Sequence, residues 1–243
     1  MKRALGLGLL ASIAPVLLIA APGRAATTNT AEDNFTRPNV SGSWGTTTNN
    51  DGSTNYAWQR SLGSSPYVSV QNHTGVLVYT GHNGHKLAGY VNVPLNPGGD
   101  ILEEFAFTTV GQTVAGACLN VTGGTQWYQA DVDTNQHVLE LRKRLNGVMT
   151  TEASVPMVLT AGTPYWLRED VQVSGGVATV QARVWANGTT EPSVWQSSWS
   201  DHAPLANGEP GAMGDWPHAP VPGTKTLFLN WAYAATGQAQ PAT

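Results

Sequence analysis

The stretch from Trp127 to Arg144, WYQADVDTNQHVLELRKR, limits the fold more than any other part of the chain. Tyr128, Ala130 and Val132 alternate with Trp127, Gln129, Asp131 and Asp133. After the polar tetrad Asp-Thr-Asn-Gln, Leu139 and Leu141 alternate with Val138, Glu140, Arg142 and Arg144. A period of two belongs to a strand with one face on a core and the other turned away from it. The tetrad is turn chemistry, so the stretch predicts a β-hairpin. An even-numbered loop keeps both apolar sets on one face. A two-residue loop would set Trp127 opposite Arg142, whereas a four-residue loop would set Asp131 opposite Glu140. Like charges face to face are unfavourable, so the spacing favours the shorter loop.

The rest of the chain repeats this style. Strand-like runs occur at 56–59, 67–70, 76–79, 87–93, 101–110, 114–121, 147–155, 165–173, 177–185, 194–199 and 226–233. Between them stand Asn-Asp-Gly at 50–52, Pro97-Gly98-Gly99, Gly123-Gly124, Asn146-Gly147, Gly175-Gly176 and Asn187-Gly188. Glycine and asparagine tolerate the positive φ of tight hairpin turns. No run keeps a period of 3.6 residues, so the pattern predicts an all-β, two-layer antiparallel sandwich or barrel. One segment breaks it. His202 to Gly223 has five prolines, four glycines, Trp216 and His218, and reads as one long irregular loop, the kind that often carries function.

Residues 1–25 read as a secretory leader: Lys2 and Arg3, an apolar run to Ala21, then small residues with cleavage expected near Ala25. The expectation is a secreted protein with no membrane span once the leader is removed. Residues 26–31 read as a linker, 32–235 as a single domain and 236–243 as a frayed tail. Beyond the leader, nine Lys/Arg oppose sixteen Asp/Glu, a net charge of −7. No basic stripe exists beyond Arg142-Lys143-Arg144, which argues against a nucleic-acid partner. Cys118 is the only cysteine, so no intrachain disulfide can form; its apolar neighbours predict a buried, inert thiol.

Several motifs resemble a known family. Asp33-Asn34-Phe35-Thr36-Arg37, then Gly42-Ser43-Trp44-Gly45, then Gly52 and Trp58, resemble the opening of bacterial secreted or surface modules with the concanavalin A-like (laminin-G-like) jelly-roll fold. Tyr165-Trp166-Leu167-Arg168, Arg183-Val184-Trp185, Glu191-Pro192 and Trp195-Gln196 resemble later strands of that family. The resemblance runs from Asp33 to about Tyr233 and implies a concanavalin A-like jelly roll of two antiparallel sheets. It leaves activity open, since lectins, carbohydrate-binding modules, glucanases and adhesion domains share the fold. Structural calcium is common in the fold, and Asp33 with Asn230 could supply oxygen ligands if the terminal strands pair.

Retaining glycoside hydrolysis needs two carboxylates about 5–5.5 Å apart. Glu103-Glu104 and Glu169-Asp170 are adjacent, so each pair points to opposite faces. Asp131 and Asp133 share a face and are the only catalytic candidates. Trp127, Trp166 and Trp185 fall in the polar phase of their strands, together with Gln129, Arg142, Arg168, Gln181 and Arg183. Tryptophan interleaved with Gln and Arg suits a sugar-binding face, where rings stack on pyranoses and polar groups bond hydroxyls; equally, such tryptophans pack beneath loops with arginine on top. Trp216 is a further candidate contact. Three functions remain open. The first is a non-catalytic carbohydrate-binding or surface-interaction module with a polysaccharide ligand. The second is a glycoside hydrolase or lyase, and the third a structural or adhesion subunit.

Overall fold

The computed structural model describes residues 29–49, 54–59, 68–79, 85–215, 222–235 and 237–242, leaving out the side chains of residues 85–88. The leader, Trp216 and His218 lie outside the described residues. In chain order the strands are β1 (Ala31–Asp33), β2 (Val40–Ser41), β3 (Trp58–Gln59), β4 (Val68–Val70), β5 (Gly75–Val78), β6 (His85–Val91), β7 (Gly99–Phe107) and β8 (Val114–Thr122). They continue as β9 (Gln126–Asp133), β10 (Val138–Leu145), β11 (Val148–Pro156), β12 (Tyr165–Ser174), β13 (Val177–Ala186), β14 (Ser197–Asp201), β15 (Glu209–Asp215) and β16 (Lys225–Ala234). A nine-stranded sheet runs β14-β13-β12-β7-β16-β5-β4-β2, with β1 also on β16. A seven-stranded sheet runs β11-β10-β9-β8-β15-β6-β3. Every named pairing is antiparallel, and the architecture is the expected jelly-roll sandwich.

The alternation explains the layers. Tyr128, Ala130, Val132, Leu139 and Leu141 all point inward and are fully buried. They meet Ile101, Phe105, Phe107, Leu167 and Val171 of the opposite sheet in one continuous core. The turns follow the same logic: Asn146-Gly147 joins β10 to β11 and Gly175-Gly176 joins β12 to β13, all four residues at positive φ.

The hairpin loop differs from the two-residue expectation. Asp133 pairs with Val138, so Thr134 to His137 form a four-residue loop. Asp133 itself supports it: its carboxylate accepts bonds from the Asn135 and Gln136 amides and from the Gln136 side chain, while His137 takes φ 57°. Asp131 therefore does face Glu140, and Arg142 offsets the repulsion by reaching both carboxylates.

The expected 202–223 loop is also corrected. Its middle is strand β15, held between β8 and β6 inside the seven-stranded sheet. Its sequence, EPGAMGD, hides this because the fold demands glycine there. A Cβ on Gly211 would lie 2.5 Å from the Gly89 carbonyl oxygen, and one on Gly214 2.4 Å from Leu77 Cδ1. The tail is corrected as well. Residues 237–242 lie across the nine-stranded sheet, where side chains bond their backbone.

Candidate functional site

The predicted ligand residues fall on two opposite outer surfaces, not on one face. Trp127, Gln129, Asp131 and Arg142 sit on the outer side of the seven-stranded sheet, beside Cys118 and Met213. Trp166, Arg168, Gln181, Arg183 and Trp185 sit on the outer side of the nine-stranded sheet. Strand phase shows that a residue points away from the core; only the topology shows which sheet it belongs to.

On the seven-stranded sheet the polar residues form a closed chain. Trp127 Nε1 donates to Gln129 Oε1 at 2.8 Å, and Gln129 Nε2 donates to Asp131 Oδ2. Arg142 Nε stands 3.4 Å from the same oxygen while its guanidinium also grips Glu140. Arg144 lies over the Trp127 ring, 4.6 Å from its centroid. Trp127 is only 1% exposed and Asp131 is fully buried, so neither presents an open surface. Burial raises the Asp131 pKa to about 7, against Arg142, which lowers it. Its Oδ1 has no hydrogen-bond partner. Asp133 serves the turn. The Cys118 thiol is buried and its pKa lies well above the ordinary range, through burial first and then nearby carboxylates.

The nine-stranded sheet presents three rows across β16, β7, β12 and β13. The first is Asn230, Glu104, Trp166 and Trp185; the second Ala232, Leu102, Arg168 and Arg183; the third Ala234, Asp100, Asp170 and Gln181. The second row is tied down. Arg168 binds Asp100 at 2.5 Å and Glu191 at 2.6 Å, and Arg183 binds Glu191 at 2.5 Å. Arg183 also covers Trp195, with 4.3 Å to the ring centroid. The first row stays partly open: Glu104, Trp166 and Trp185 all keep accessible surface. Asn187, just past β13, donates its side-chain amide to Glu104. Burial raises the Glu104 pKa, and the Asn187 bond opposes the rise. Two adjacent tryptophans flanked by a carboxylate and an amide offer flat apolar faces and polar bonds together. Sequence reasoning named both tryptophans but missed Glu104 and Asn187, whose approach depends on β7 lying beside β12.

The proposed cation ligands do not converge. Asp33 pairs with Trp231 and faces the core, while Asn230, one residue along, faces outward. Asp33 accepts bonds from the Phe35 amide, both Arg37 terminal nitrogens and Trp58 Nε1. Asn230 bonds the backbone of Ala242 through both its amide atoms. Among the described residues no group of three or more His, Cys, Asp or Glu is arranged to hold a metal ion. The same residues contain no helix long and apolar enough to cross a membrane.

No protein-family model matches the chain, and a comparison with curated proteins finds no sequence match. Its fold does resemble solved structures. A Bacillus licheniformis beta-glucanase superposes with a TM-score of 0.54 at 14% identity, covering 86% of this chain and 99% of the enzyme. The carbohydrate-binding module CBM66 from Bacillus subtilis gives 0.52 at 10% identity, covering 75% and 94%. A xylan beta-1,4-xylosidase from Bacillus halodurans C-125 gives 0.53 at 11% identity, covering 88% of this chain and 40% of that one. The chain thus has the jelly-roll sandwich fold that one carbohydrate-binding module and several glycoside hydrolases also use.

Proposed function

We propose that the protein is an exported, non-catalytic glycan-binding module whose contact surface is the row of Trp166 and Trp185. The observation that carries this reading is their placement side by side on β12 and β13, partly exposed, with Glu104 and the Asn187 amide at one end. Flat aromatic faces stack on sugar rings, and the flanking carboxylate and amide accept and donate to hydroxyls. The fold shared with a carbohydrate-binding module and a beta-glucanase supports a polysaccharide as ligand. The test is retention in affinity gels containing mixed-linkage β-glucan, xylan or fructan. The expected result is retardation on at least one, lost on Trp185→Ala or Trp166→Ala with the far-ultraviolet spectrum unchanged. No retardation on any polysaccharide, or retardation indifferent to both substitutions, overturns the reading.

A hydrolase reading has one observation in its favour. Asp131 and Glu140 face each other across β9 and β10, and a carboxyl with a pKa near 7 suits a general acid. Arg142 occupies the space between them, which argues against a reacting sugar there. Release of reducing sugar that Asp131→Asn abolishes would establish it.

A further inference from the structure

The segment Gly237–Ala242 is bound as a ligand would be. Ala239 is fully buried against Leu102, Ala232 and Ala234, with Trp166 and Trp185 packed at the margin. Three of its residues have both backbone groups held by side chains. The Ala239 amide donates to Asp100 Oδ1 at 2.8 Å, and its carbonyl accepts from Arg168 at 3.1 Å. The Gln240 amide donates to Asn29 Oδ1 at 2.9 Å, and its carbonyl accepts from Asn29 Nδ2 at 3.0 Å. The Ala242 amide donates to Asn230 Oδ1 at 2.8 Å, and its carbonyl accepts from Asn230 Nδ2 at 3.0 Å. Pro241 has no N–H to satisfy and favours an extended backbone.

This arrangement has the two parts of peptide recognition. Backbone bonds hold an extended chain whatever its side chains, and a pocket selects among them. Here the backbone bonds come from side chains already in place. Asp100 is buried, and Arg168 is braced by Glu191 as well. The pocket encloses the Ala239 methyl group against Leu102, Ala232 and Ala234, leaving it no exposed surface.

We infer that the outer face of the nine-stranded sheet is a peptide-binding groove for extended segments of the type Ala-Gln-Pro-Ala. Gly237–Ala242 fills it from within the same chain, and the same segment supplied in trans fills it when that one is removed. The groove adjoins the surface of the glycan reading, since Trp166 and Trp185 pack at its margin, but its occupant needs no sugar and its hydrogen bonds come from Asp100, Arg168, Asn29 and Asn230.

The experiment is titration calorimetry with a synthetic peptide of residues 236–243. Three proteins are compared: the full chain, a chain ending at Ala235, and full-length Ala239→Trp, whose own segment no longer seats. The shortened chain and Ala239→Trp are expected to bind the peptide saturably, and the full chain at least tenfold more weakly, because its own segment competes. Asn230→Ala in the shortened chain should weaken binding by about tenfold, and a peptide carrying tryptophan in place of Ala239 should not bind. If neither opened protein binds, with the far-ultraviolet spectrum of at least one intact, the groove does not exist. If the full chain binds as tightly as the shortened one, its own segment is not the occupant. If the shortened chain fails to fold, Ala239→Trp decides the question alone.

Discussion

Glu103 and Glu169 are diagonal neighbours on the inner face of the nine-stranded sheet, on β7 and β12, and both are fully buried in the core. Neither carboxyl oxygen of Glu103 has a hydrogen-bond partner, and the Ala130 amide is the backbone group that reaches Glu169 and opposes its shift. Burial raises both pKa values well above the ordinary 4.5; for Glu103 the charge of Glu169 adds to the rise, and for Glu169 that of Asp131 does. Ionising either acid in an apolar layer is costly, so both hold their protons to higher pH in the folded protein than in the unfolded chain.

Stability should therefore depend on pH in an unusual direction. Below about pH 4.5 both acids are protonated whether the chain is folded or not, so they add no slope. As pH rises above 4.5 the unfolded chain ionises while the folded chain does not, and stability falls until pH reaches the raised folded pKa. Each such group contributes a slope of about 1.4 kcal/mol per pH unit. Urea unfolding at pH 5, 6, 7 and 8 should show this loss, and Glu103→Gln or Glu169→Gln should each flatten it. Parallel curves for the wild type and both variants would show that neither acid is held protonated.

Arg142 should be indispensable to the hairpin. It is the cation shared by Asp131 and Glu140, which the four-residue loop brings face to face. Removing one partner of a buried ionic cluster typically costs about 3–5 kcal/mol, because uncompensated charge is left behind. Arg142→Met keeps the bulk and should lose stability in that range at pH 8. Adding Asp131→Asn should restore part of it, so the double-mutant cycle gives a coupling of opposite sign to the single loss. Additive effects would mean that the two side chains do not communicate.

The hairpin was legible because one of its faces meets an apolar core, and burial imposes a strict period on sequence. The outer faces carry no such period. Trp127 and Trp166 look alike in phase, yet their strands lie in different sheets, and strand order depends on pairings far apart in sequence. Strand β15 was hidden for a related reason. Its neighbours approach so closely that Gly211 and Gly214 replace the β-branched residues that mark a strand. Nothing in the composition of Gly237–Ala242 signals docking, because its partners Asn29 and Asp100 lie 211 and 139 residues away.

The glycines of β15 lead to a further prediction. A side chain at Gly211 would strike backbone, which cannot rotate away, whereas one at Gly214 would strike the end of a leucine. Gly211→Ala should thus abolish folding or lower the melting temperature drastically, since β15 holds β6 and β8 apart at their shared spacing. Gly214→Ala should be milder, at about 1–3 kcal/mol for an overpacked site. Equal effects in thermal melts would count against β15 as an interior strand packed between β8 and β6.

The motif Asp-x-Phe-x-Arg with Gly-x-Trp-Gly has a structural role that mutation can check. Phe35, Trp44 and Trp58 pack ring against ring, with Trp44 and Trp58 edge to face at 4.9 Å and Trp58 also 4.9 Å from Trp231. Asp33 anchors the group from beneath. Its Oδ2 accepts from Trp58 Nε1 at 2.7 Å and from Arg37 at 2.6 Å, and its Oδ1 accepts the Phe35 amide at 2.7 Å, which helps hold Phe35 at φ 55°. Hydrogen bonds to a charged group contribute about 1.5–3 kcal/mol, so Trp58→Phe, which keeps the ring packing, should lose an amount in that range. Arg37→Lys should also destabilise, because an ammonium cannot reproduce the two-pronged bond. Asp33→Asn should cost more than either, since it breaks the ion pair and leaves Arg37 uncompensated. Chemical denaturation should rank the three in that order of severity, Asp33→Asn worst. A tolerated Asp33→Asn would show that ring packing alone closes this end of the sandwich.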